Sequence, residues 1–261
     1  KGIIFGALDE KSLAWITALK CHEEGASIVL SNAPVAMRMG EINKLAEKIG
    51  APVIACDVTN AEDVDNLITK SMEHFGGGFD FILHSIGMGV NVRKGKHYTE
   101  IDYGFNVKTN DISAVSLHRV LAACMKKDAL NEWGSVVALT YIAAQRVFPD
   151  YSEMADAKAL LESVARSFGY HYGVKKHVRV NTISQSPTRT TAGSGVKGFD
   201  GFINYAEKMS PLGNASAEDC ANYIVAMFSD LTKMVTMQNL FHDGGFSFTG
   251  VTAAVIEQME K

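Results

Sequence analysis

Short apolar runs alternate along the chain with longer segments in which apolar residues recur every three or four positions. The runs predict strands at residues 3–5, 27–31, 53–56, 79–84, 134–140, 178–183 and 236–242. The segments between them, such as residues 12–20, predict helices. Residues 79–84 are almost all apolar, as expected for a parallel strand covered on both faces. The alternation predicts an α/β fold with one doubly wound parallel sheet of about seven strands and helices on both faces.

No linker rich in proline, serine or charge divides the 261 residues, and the five prolines are scattered. This length suits one large α/β domain, so residues 1–261 are expected to form a single unit. Lys1 opens directly on the strand-like run at residues 2–5. A short segment is therefore expected to precede it in the native protein.

Composition narrows the function classes. The hydrophobic fraction of 47% and the charged fraction of 21% are typical of a soluble globular protein. The net charge of −4 provides no basic field for a nucleic acid. No apolar run reaches the length needed to span a bilayer, and no signal-peptide pattern is present, so no membrane association is expected. The four cysteines are far apart, which indicates neither a zinc site nor a disulfide framework and favours a cytoplasmic location.

Several strand ends carry residues suited to a nucleotide. Gly6 follows the first strand and a helix starts near Ser12, the arrangement in which helix amides bind phosphate, but the GxGxxG spacing is absent and a plain strand–helix turn is equally consistent. Asp57 follows the third strand and is either an adenine ligand or a turn residue. Glycines in the segment 85–89 permit close approach of a flat ligand.

The end of the second strand bears on cofactor preference. It carries Ser31, Asn32 and Ala33, with no carboxylate to bind a ribose and no adjacent cation to bind a 2′-phosphate. The nearest cation, Arg38, is either a phosphate ligand or a solvated helix residue. The residues leave the choice between NADH and NADPH open.

Tyr151 and Lys158 are predicted to lie on one helix after the fifth strand. Seven positions at 100° each turn through about 700°, so both side chains leave the same face, roughly 10.5 Å apart along the axis. A phenol and an ammonium group would then face one space. The same spacing also fits a half-buried tyrosine beside a solvated lysine.

A long segment rich in glycine follows the sixth strand. Apolar residues such as Phe199 and Met209 are interleaved there with glycines. Long loops in compact domains are commonly lids or binding segments, so residues 187–212 are predicted to form a lid over an apolar substrate. A merely flexible loop is the alternative.

Six short motifs, in this order and spacing, resemble the short-chain dehydrogenase/reductase superfamily with its Rossmann-type sheet. More narrowly, the chain resembles the bacterial, NADH-type enoyl-acyl carrier protein reductases of fatty acid synthesis over essentially its whole length. The motifs are Gly6, Asp57-Val58, HSIG at 84–87, the Tyr151/Lys158 pair, SPTRT at 186–190 and HDGG at 242–245. The resemblance implies a homotetramer that binds NADH, with NADPH not excluded, across the carboxyl edge of the sheet. It also implies an enoyl-acyl carrier protein as substrate.

Two positions favour the enoyl reductases within the superfamily. Ketone-reducing members usually place a serine 13 residues before the tyrosine, whereas this chain has Ala138 there. Enoyl reductases resemble this chain in a second tyrosine ten residues before the first, here Tyr141. A carbonyl or 3-ketoacyl reductase is the alternative enzyme. A catalytically silent nucleotide sensor is the alternative from another class, although such proteins tend to lose the tyrosine or the lysine.

The resemblance also implies site residues. Catalysis is assigned to Tyr151, Lys158 and Tyr141, with a core aromatic as the alternative for Tyr141. The cofactor ligands implied are Gly6, Ser12, Leu13, Asp57, Val58, Ser85, Ile86, Gly87, Lys158, Thr188 and Thr190. The substrate ligands implied are Gly89, Tyr141, Tyr151, Met154 and Phe199, with plain core packing as the alternative for Met154.

The chain departs from the family pattern in three places. Ser186 stands where many relatives have glycine, and Met88-Gly89 replaces a Phe-Ala or similar pair. Lys197 matches the basic patch for the acidic carrier protein, but Asp200 and Gly201 follow where basic residues are common. The departures bear on the pocket, the lid and carrier docking, and not on the reaction.

Overall fold

Seven parallel strands form one sheet in the order β3-β2-β1-β4-β5-β6-β7 in the computed structural model of the chain. The structure describes residues 1–38, 41–191 and 198–260. The strands are β1 (Gly2–Phe5), β2 (Ile28–Asn32), β3 (Val53–Ala55), β4 (Phe79–His84), β5 (Leu130–Thr140), β6 (Arg179–Gln185) and β7 (Asn239–His242). The predicted fold class and the number of strands are confirmed.

Helices cover both faces of the sheet. Those in the described residues are α1 (Leu13–Glu23), α2 (Pro34–Met37), α3 (Glu41–Ile49), α4 (Ala61–Phe75), α5 (Val90–Arg93), α6 (Tyr103–Asn110), α7 (Ser116–Lys127), α8 (Met154–Lys176), α9 (Phe199–Met209), α10 (Ala217–Phe228) and α11 (Ala253–Met259). One apolar cluster joins the sheet to α4, α7 and α8, and a second joins it to α1, α3 and α10. Among the residues described, no helix is both long and apolar enough to cross a membrane.

The sheet reverses its strand order between β1 and β4. These neighbours pair in parallel, with Phe5 beside His84 at their carboxyl ends. The chain leaves β1 towards one edge of the sheet and β4 towards the other, which opens a crevice above the strand ends. In doubly wound sheets this switch point is where ligands bind.

The predicted helix through both Tyr151 and Lys158 is wrong at its start. A 3₁₀ turn spans Pro149–Tyr151, and α8 begins only at Met154. Between them, Ser152 has φ +46° and ψ −139°, a conformation that breaks the helix. Tyr151 is therefore presented from a tight turn, and only Lys158 from the helix.

The segment predicted as a lid contains regular structure. Helix α9 occupies Phe199–Met209 within the predicted range 187–212. It packs on the segment that follows β5 through a third apolar cluster that includes Tyr141, Ala206 and Met209. Residues 192–197 of the segment, including Lys197, lie outside the described residues. A lid function for 187–212 stays a prediction.

Candidate active site

A cavity of about 360 Å³ lies above the carboxyl ends of β1, β4, β5 and β6. This volume is within the usual range of ligand pockets. Of the residues expected at the site, the following line it: Gly6, Ser12, Leu13, Ser85, Ile86, Gly87, Gly89, Tyr141, Tyr151, Met154, Lys158, Thr188, Thr190 and Phe199. The fold thus brings residues that are up to 193 positions apart (199 − 6) into one space.

One end of the cavity is suited to an anion. Gly6 has φ +93°, and a β carbon there would stand 2.0 Å from the Ser85 carbonyl oxygen, so only glycine fits. Ser12 then caps α1, its hydroxyl oxygen accepting from the backbone N–H of Leu8 at 3.2 Å and of Trp15 at 3.4 Å. The amino end of α1 faces the cavity, and its free amides and dipole favour a phosphate.

The glycines after β4 shape a neighbouring part of the wall. A β carbon on Gly89 would lie 2.7 Å from both Met154 Cγ and Val92 Cγ1, so a larger residue would force the wall apart. At Gly87 the nearest atoms, Met154 Cε and Lys158 Nζ, would stand at ordinary contact distances of 3.6 and 3.7 Å. Glycine at position 87 therefore leaves space that a flat ligand can use.

Two phenols meet inside the cavity. The ring centroids of Tyr141 and Tyr151 are 5.3 Å apart, and the rings are tilted by 55°. The Tyr141 hydroxyl is buried and has no hydrogen-bond partner among the described residues. Burial raises the pKa of each phenol well above its usual value. Both hydroxyls therefore stay protonated at neutral pH and can donate to a bound oxygen.

Lys158 brings a cation to the same space. Its Nζ donates to the Leu139 carbonyl oxygen at 2.8 Å, which ties α8 to the end of β5. Burial lowers the pKa of Lys158 to about 8, and the nearby Glu162 partly opposes this effect. The lysine is mostly protonated at neutral pH and loses its charge in mildly basic solution.

Glu162 lies one turn beyond Lys158 and is buried. Its carboxylate accepts hydrogen bonds from Thr140 at 3.0 Å, Gln145 at 3.2 Å and Asn239 at 3.1 Å. Burial raises its pKa, while the donors from Gln145 and Thr140 act in the opposite direction. The carboxylate joins α8 to β5 and β7 and places a negative group near the lysine.

His84 ends β4 beneath the cavity and is fully buried. Its Nε2 is 2.8 Å from Ser116 Oγ, and that hydroxyl donates to the Ile112 carbonyl oxygen at 2.6 Å. Burial, with a smaller contribution from the charge of Lys158, lowers the pKa of His84 to about 3. The ring is neutral at physiological pH, so it orients the strand end and carries no charge into the site.

Asp57 and Val58 do not line the cavity. Asp57 is exposed, and its Oδ1 accepts from the Thr59 N–H at 2.9 Å and the Thr59 hydroxyl at 2.7 Å. These bonds hold the pKa of the carboxyl below its usual value. Both residues follow β3 at the same sheet edge as the cavity. Their cofactor contacts stay a prediction.

Gln185 is a cavity residue that the sequence did not reveal. It ends β6 and is buried, and its Oε1 is 2.7 Å from His242 Nδ1. The Nε2 of the same amide has no partner among the described residues. The available signal was a polar side chain at the end of a buried strand, directly before the SPTRT motif.

An aromatic wall closes the far side of the cavity. The Phe202 ring of α9 makes edge contacts with Tyr141 at 5.9 Å and Phe148 at 5.0 Å between centroids. Phe199 from the same helix, predicted to contact substrate, also lines the cavity. This wall is suited to an apolar chain.

Comparison with known proteins agrees with this geometry. The family described as Enoyl-(Acyl carrier protein) reductase matches residues 6–247. The chain is 31% identical over 255 residues to "Enoyl-[acyl-carrier-protein] reductase [NADH] 1" of Rhizobium meliloti, covering 97% of this chain and 92% of the relative.

Solved structures of this family share the fold. The FabI-NADH complex from Alistipes finegoldii is 62% identical, with a TM-score of 0.95 over 96% of this chain and 89% of that one. The enoyl-[acyl-carrier-protein] reductase (NADH) from Aquifex aeolicus is 30% identical, with a TM-score of 0.89 over 96% and 97%. The chain belongs to the enoyl-acyl carrier protein reductase family.

Proposed function

We propose that this protein uses NADH to reduce the trans-2 double bond of enoyl thioesters carried by acyl carrier protein, in fatty acid biosynthesis. Membership of the family supports the reaction class. The observation that carries the proposal is the meeting of Tyr141 and Tyr151, with ring centroids 5.3 Å apart, in the cavity that Lys158 also lines.

The cavity suits NADH, which supplies a hydride when bound. The amino end of α1 and the cradle at Gly6 offer amides to a pyrophosphate. Lys158 has ammonium hydrogens for ribose hydroxyls, and Ile86 offers an apolar wall. Thr188 and Thr190 follow β6 with hydroxyl and backbone groups for the carboxamide and pyrophosphate. The Alistipes finegoldii relative, solved as a complex with NADH, supports the choice of this cofactor.

Tyr151 is assigned to the thioester oxygen. Reduction at the β carbon of an enoyl thioester leaves negative charge on that oxygen, as an enolate. A protonated phenol held by a tight turn at the cavity is an oxyanion donor that needs no rearrangement during the reaction. Tyr141 borders the thioester from the other side, and its hydroxyl has no hydrogen-bond partner among the described residues.

Lys158 supports the cofactor and the Tyr151 phenol through its positive charge. The ammonium is anchored on the Leu139 carbonyl, so its place is defined before a ligand arrives. From there it binds the ribose and lowers the energy of negative charge on the phenol and enolate side. This role does not require the lysine to transfer a proton.

Ala138, thirteen residues before Tyr151, favours enoyl reduction over ketone reduction. Ala138 is fully buried in the cluster shared with α4, α7 and α8, and it brings no hydroxyl to the cavity. A ketoreductase of the superfamily would use a serine there to hold the carbonyl oxygen. The missing hydroxyl disfavours the 3-ketoacyl reductase alternative.

Four further features belong to the proposal. The chain is one catalytic domain in which residues 187–212 act as a lid. It assembles as a homotetramer, works in the cytoplasm and receives its substrate from acyl carrier protein. Light scattering on the purified protein measures the assembly, and a monomeric mass would remove that feature alone.

A spectrophotometric assay tests the reaction. Purified protein is expected to oxidise NADH only when a trans-2-enoyl thioester is present. Turnover of a 3-ketoacyl thioester without turnover of the enoyl thioester would establish the ketoreductase. NADH binding without turnover of either thioester would indicate a silent nucleotide-binding protein.

A further inference from the structure

Glu153 is a fully buried acid two residues after Tyr151, and the mechanism above does not use it. Its Oε1 accepts the backbone N–H of Asn91 at 2.9 Å and the hydroxyl of Thr109 at 3.0 Å. Its Oε2 is also buried and has no partner among the described residues. No lysine, arginine or histidine in the described part of the chain forms an ion pair with it. A buried polar atom without a hydrogen-bond partner costs the fold free energy, which favours a role for Glu153 other than stabilisation.

The two donors come from different elements, of which the one with Asn91 borders the cavity. Asn91 lies in α5, in the segment that contributes Gly89, Val92 and Arg93 to the cavity. Thr109 lies near the end of α6 and is also fully buried. One oxygen of Glu153 therefore joins α5, which borders the cavity, to α6 at one point.

The network extends beyond the carboxylate. The Asn91 side chain donates to the Asp102 carbonyl oxygen at 3.1 Å and accepts from the Asp102 N–H at 2.9 Å. Asp102 in turn caps α6. The segment 89–93, which borders the cavity, is thus bonded on one side to the start of α6 and on the other to Glu153.

The backbone conformation next to Glu153 favours a role for this residue in holding the turn. Ser152, between Tyr151 and Glu153, has φ +46°, in the region that favours glycine. Glu153 itself has φ −65° and ψ −12°, and Ala155 N–H donates to the Ser152 carbonyl at 3.2 Å, which closes a turn. A strained turn beside a reactive group persists only when its surroundings hold it. The bonds of Glu153 are buried contacts that can do so.

We propose that Glu153 is a positioning residue: its carboxylate locks the turn that presents Tyr151 to the wall segment 89–93, and so sets the phenol against the bound thioester. The inference rests on the proposed function. Met154, the next residue, lines the cavity and lies close to Gly89. A shift of this turn therefore moves the Tyr151 phenol and the Met154 side chain together.

The test compares Glu153→Ala, Glu153→Gln and Thr109→Val. Glu153→Ala is expected to lower kcat/KM for a short trans-2-enoyl thioester by about 100-fold, the effect of a displacement of about 1 Å at a reacting group, with the NADH Kd changed less than about threefold. Glu153→Gln keeps an oxygen that accepts both bonds and should recover most of the rate. Thr109→Val removes one of the two donors and should lower kcat/KM by an intermediate factor.

Tyr172→Phe is the matched control. It removes one buried hydrogen bond on the same helix, from the Tyr172 hydroxyl to the Leu121 carbonyl at 3.0 Å, away from the cavity. A merely structural role for Glu153 predicts that its variants lose stability, NADH affinity and rate together. That result, or an Ala variant within threefold of wild-type kcat/KM, would overturn the proposal. If Glu153→Ala does not fold, the test rests on Thr109→Val. An unchanged kcat/KM in Thr109→Val would overturn the proposal.

Hydrogen exchange separates this proposal from the proposed function. Loss of the Glu153 carboxylate should speed amide exchange at Asn91 and in the turn 151–154, with the core strands unaffected. Wild-type protein that does not reduce enoyl thioesters would refute the proposed function. Amide exchange at Asn91 would still test the positioning role. An unchanged exchange rate at Asn91 in Glu153→Ala would refute that role.

Discussion

The ammonium of Lys158 hydrogen-bonds the carbonyl oxygen of Leu139 at 2.8 Å, across the interface between α8 and the end of β5. Tyr141 is two residues after that carbonyl, and Tyr151 is presented by the turn just before α8. This bond therefore ties the strand that leads into Tyr141 to the helix that carries Lys158 and follows the Tyr151 turn. It also holds the cation in place in a buried setting, which makes its charge sensitive to pH.

The pH dependence of cofactor binding follows from this burial. Because the pKa of Lys158 is lowered to about 8, the ammonium that binds NADH is lost as the pH rises through that value. Above about pH 8, the NADH Kd of the free protein should rise by up to about tenfold per pH unit. Fluorescence titration of NADH between neutral and basic pH measures the effect.

Two variants of Lys158 complete this test. Lys158→Ala should bind NADH weakly at every pH, and its Kd should not follow the wild-type profile. Lys158→Arg stays charged throughout and should flatten the profile even if its affinity is reduced. An Ala variant with wild-type NADH affinity would remove the assigned role of the lysine.

Protein stability should depend on this group in the opposite sense to cofactor binding. The folded pKa of Lys158 is below the unfolded value, so between about pH 8 and 10 the unfolded chain binds more protons at this site. The contribution of Lys158 to stability therefore increases as pH rises through this window. Charge loss weakens NADH binding without weakening the fold through this lysine.

Removal of the Tyr151 hydroxyl should affect the rate and spare the cofactor. Tyr151→Phe is expected to lower kcat by roughly 10² to 10³, as for the loss of one oxyanion donor, about 2.7 to 4 kcal/mol. The NADH Kd should stay near the wild-type value because Lys158 and the α1 end are untouched. Tyr170→Phe, at an exposed position on α8, is the matched control. Equal kcat values for the two variants would exclude an oxyanion role for Tyr151.

Prediction from sequence succeeded where one local pattern decides the structure. The nearly unbroken apolar run of β4 was placed at the observed residues 79–84, since a parallel strand covered on both faces is almost entirely apolar. The turn at Ser152 was missed, because serine has no local signature for positive φ and the residues around it suit a helix. The turn depends on contacts with residues that are distant in the sequence.

The same limit applies to parts of the site. Glu153 is bonded to residues 62 and 44 positions away, Asn91 and Thr109, so no spacing rule could connect them. Tyr141 and Tyr151 were assigned through the family resemblance, and the structure places them side by side. Gln185 was missed because a polar residue at a strand end ordinarily faces solvent, whereas here it faces the cavity.

Gln185 is expected to contribute to cofactor binding. Gln185 lines the cavity next to the 186–190 segment, and its Nε2 has no partner among the described residues, so a bound dinucleotide can supply the missing acceptor. Gln185→Leu should raise the NADH Kd by about tenfold, the worth of one hydrogen bond of about 1.4 kcal/mol. Gln238→Leu, at an exposed amide that donates to the Thr236 carbonyl, is the control. An unchanged NADH Kd in Gln185→Leu would place the amide outside the cofactor site.

Tyr141→Phe tests whether the second phenol serves function at the expense of stability. The hydroxyl is buried without a partner among the described residues, and such a group destabilises a fold by about 1 to 3 kcal/mol. Its removal should leave the melting temperature of the unliganded protein unchanged or raise it by about 2–4 °C per kcal/mol gained. The same change should raise KM for the enoyl thioester, because the hydroxyl finds its partner only when the thioester is bound.

Thermal stability must be kept or increased while substrate binding is weakened. Lower thermal stability with an unchanged KM would show that Tyr141 is a core aromatic, packed against Phe148 and Phe202 at 5.5 and 5.9 Å between centroids. Tyr172→Phe provides the comparison, since its buried hydroxyl has a partner and its removal should lower the melting temperature. A stabilised Tyr141→Phe variant with weakened substrate binding is the expected signature of a donor held ready for a ligand.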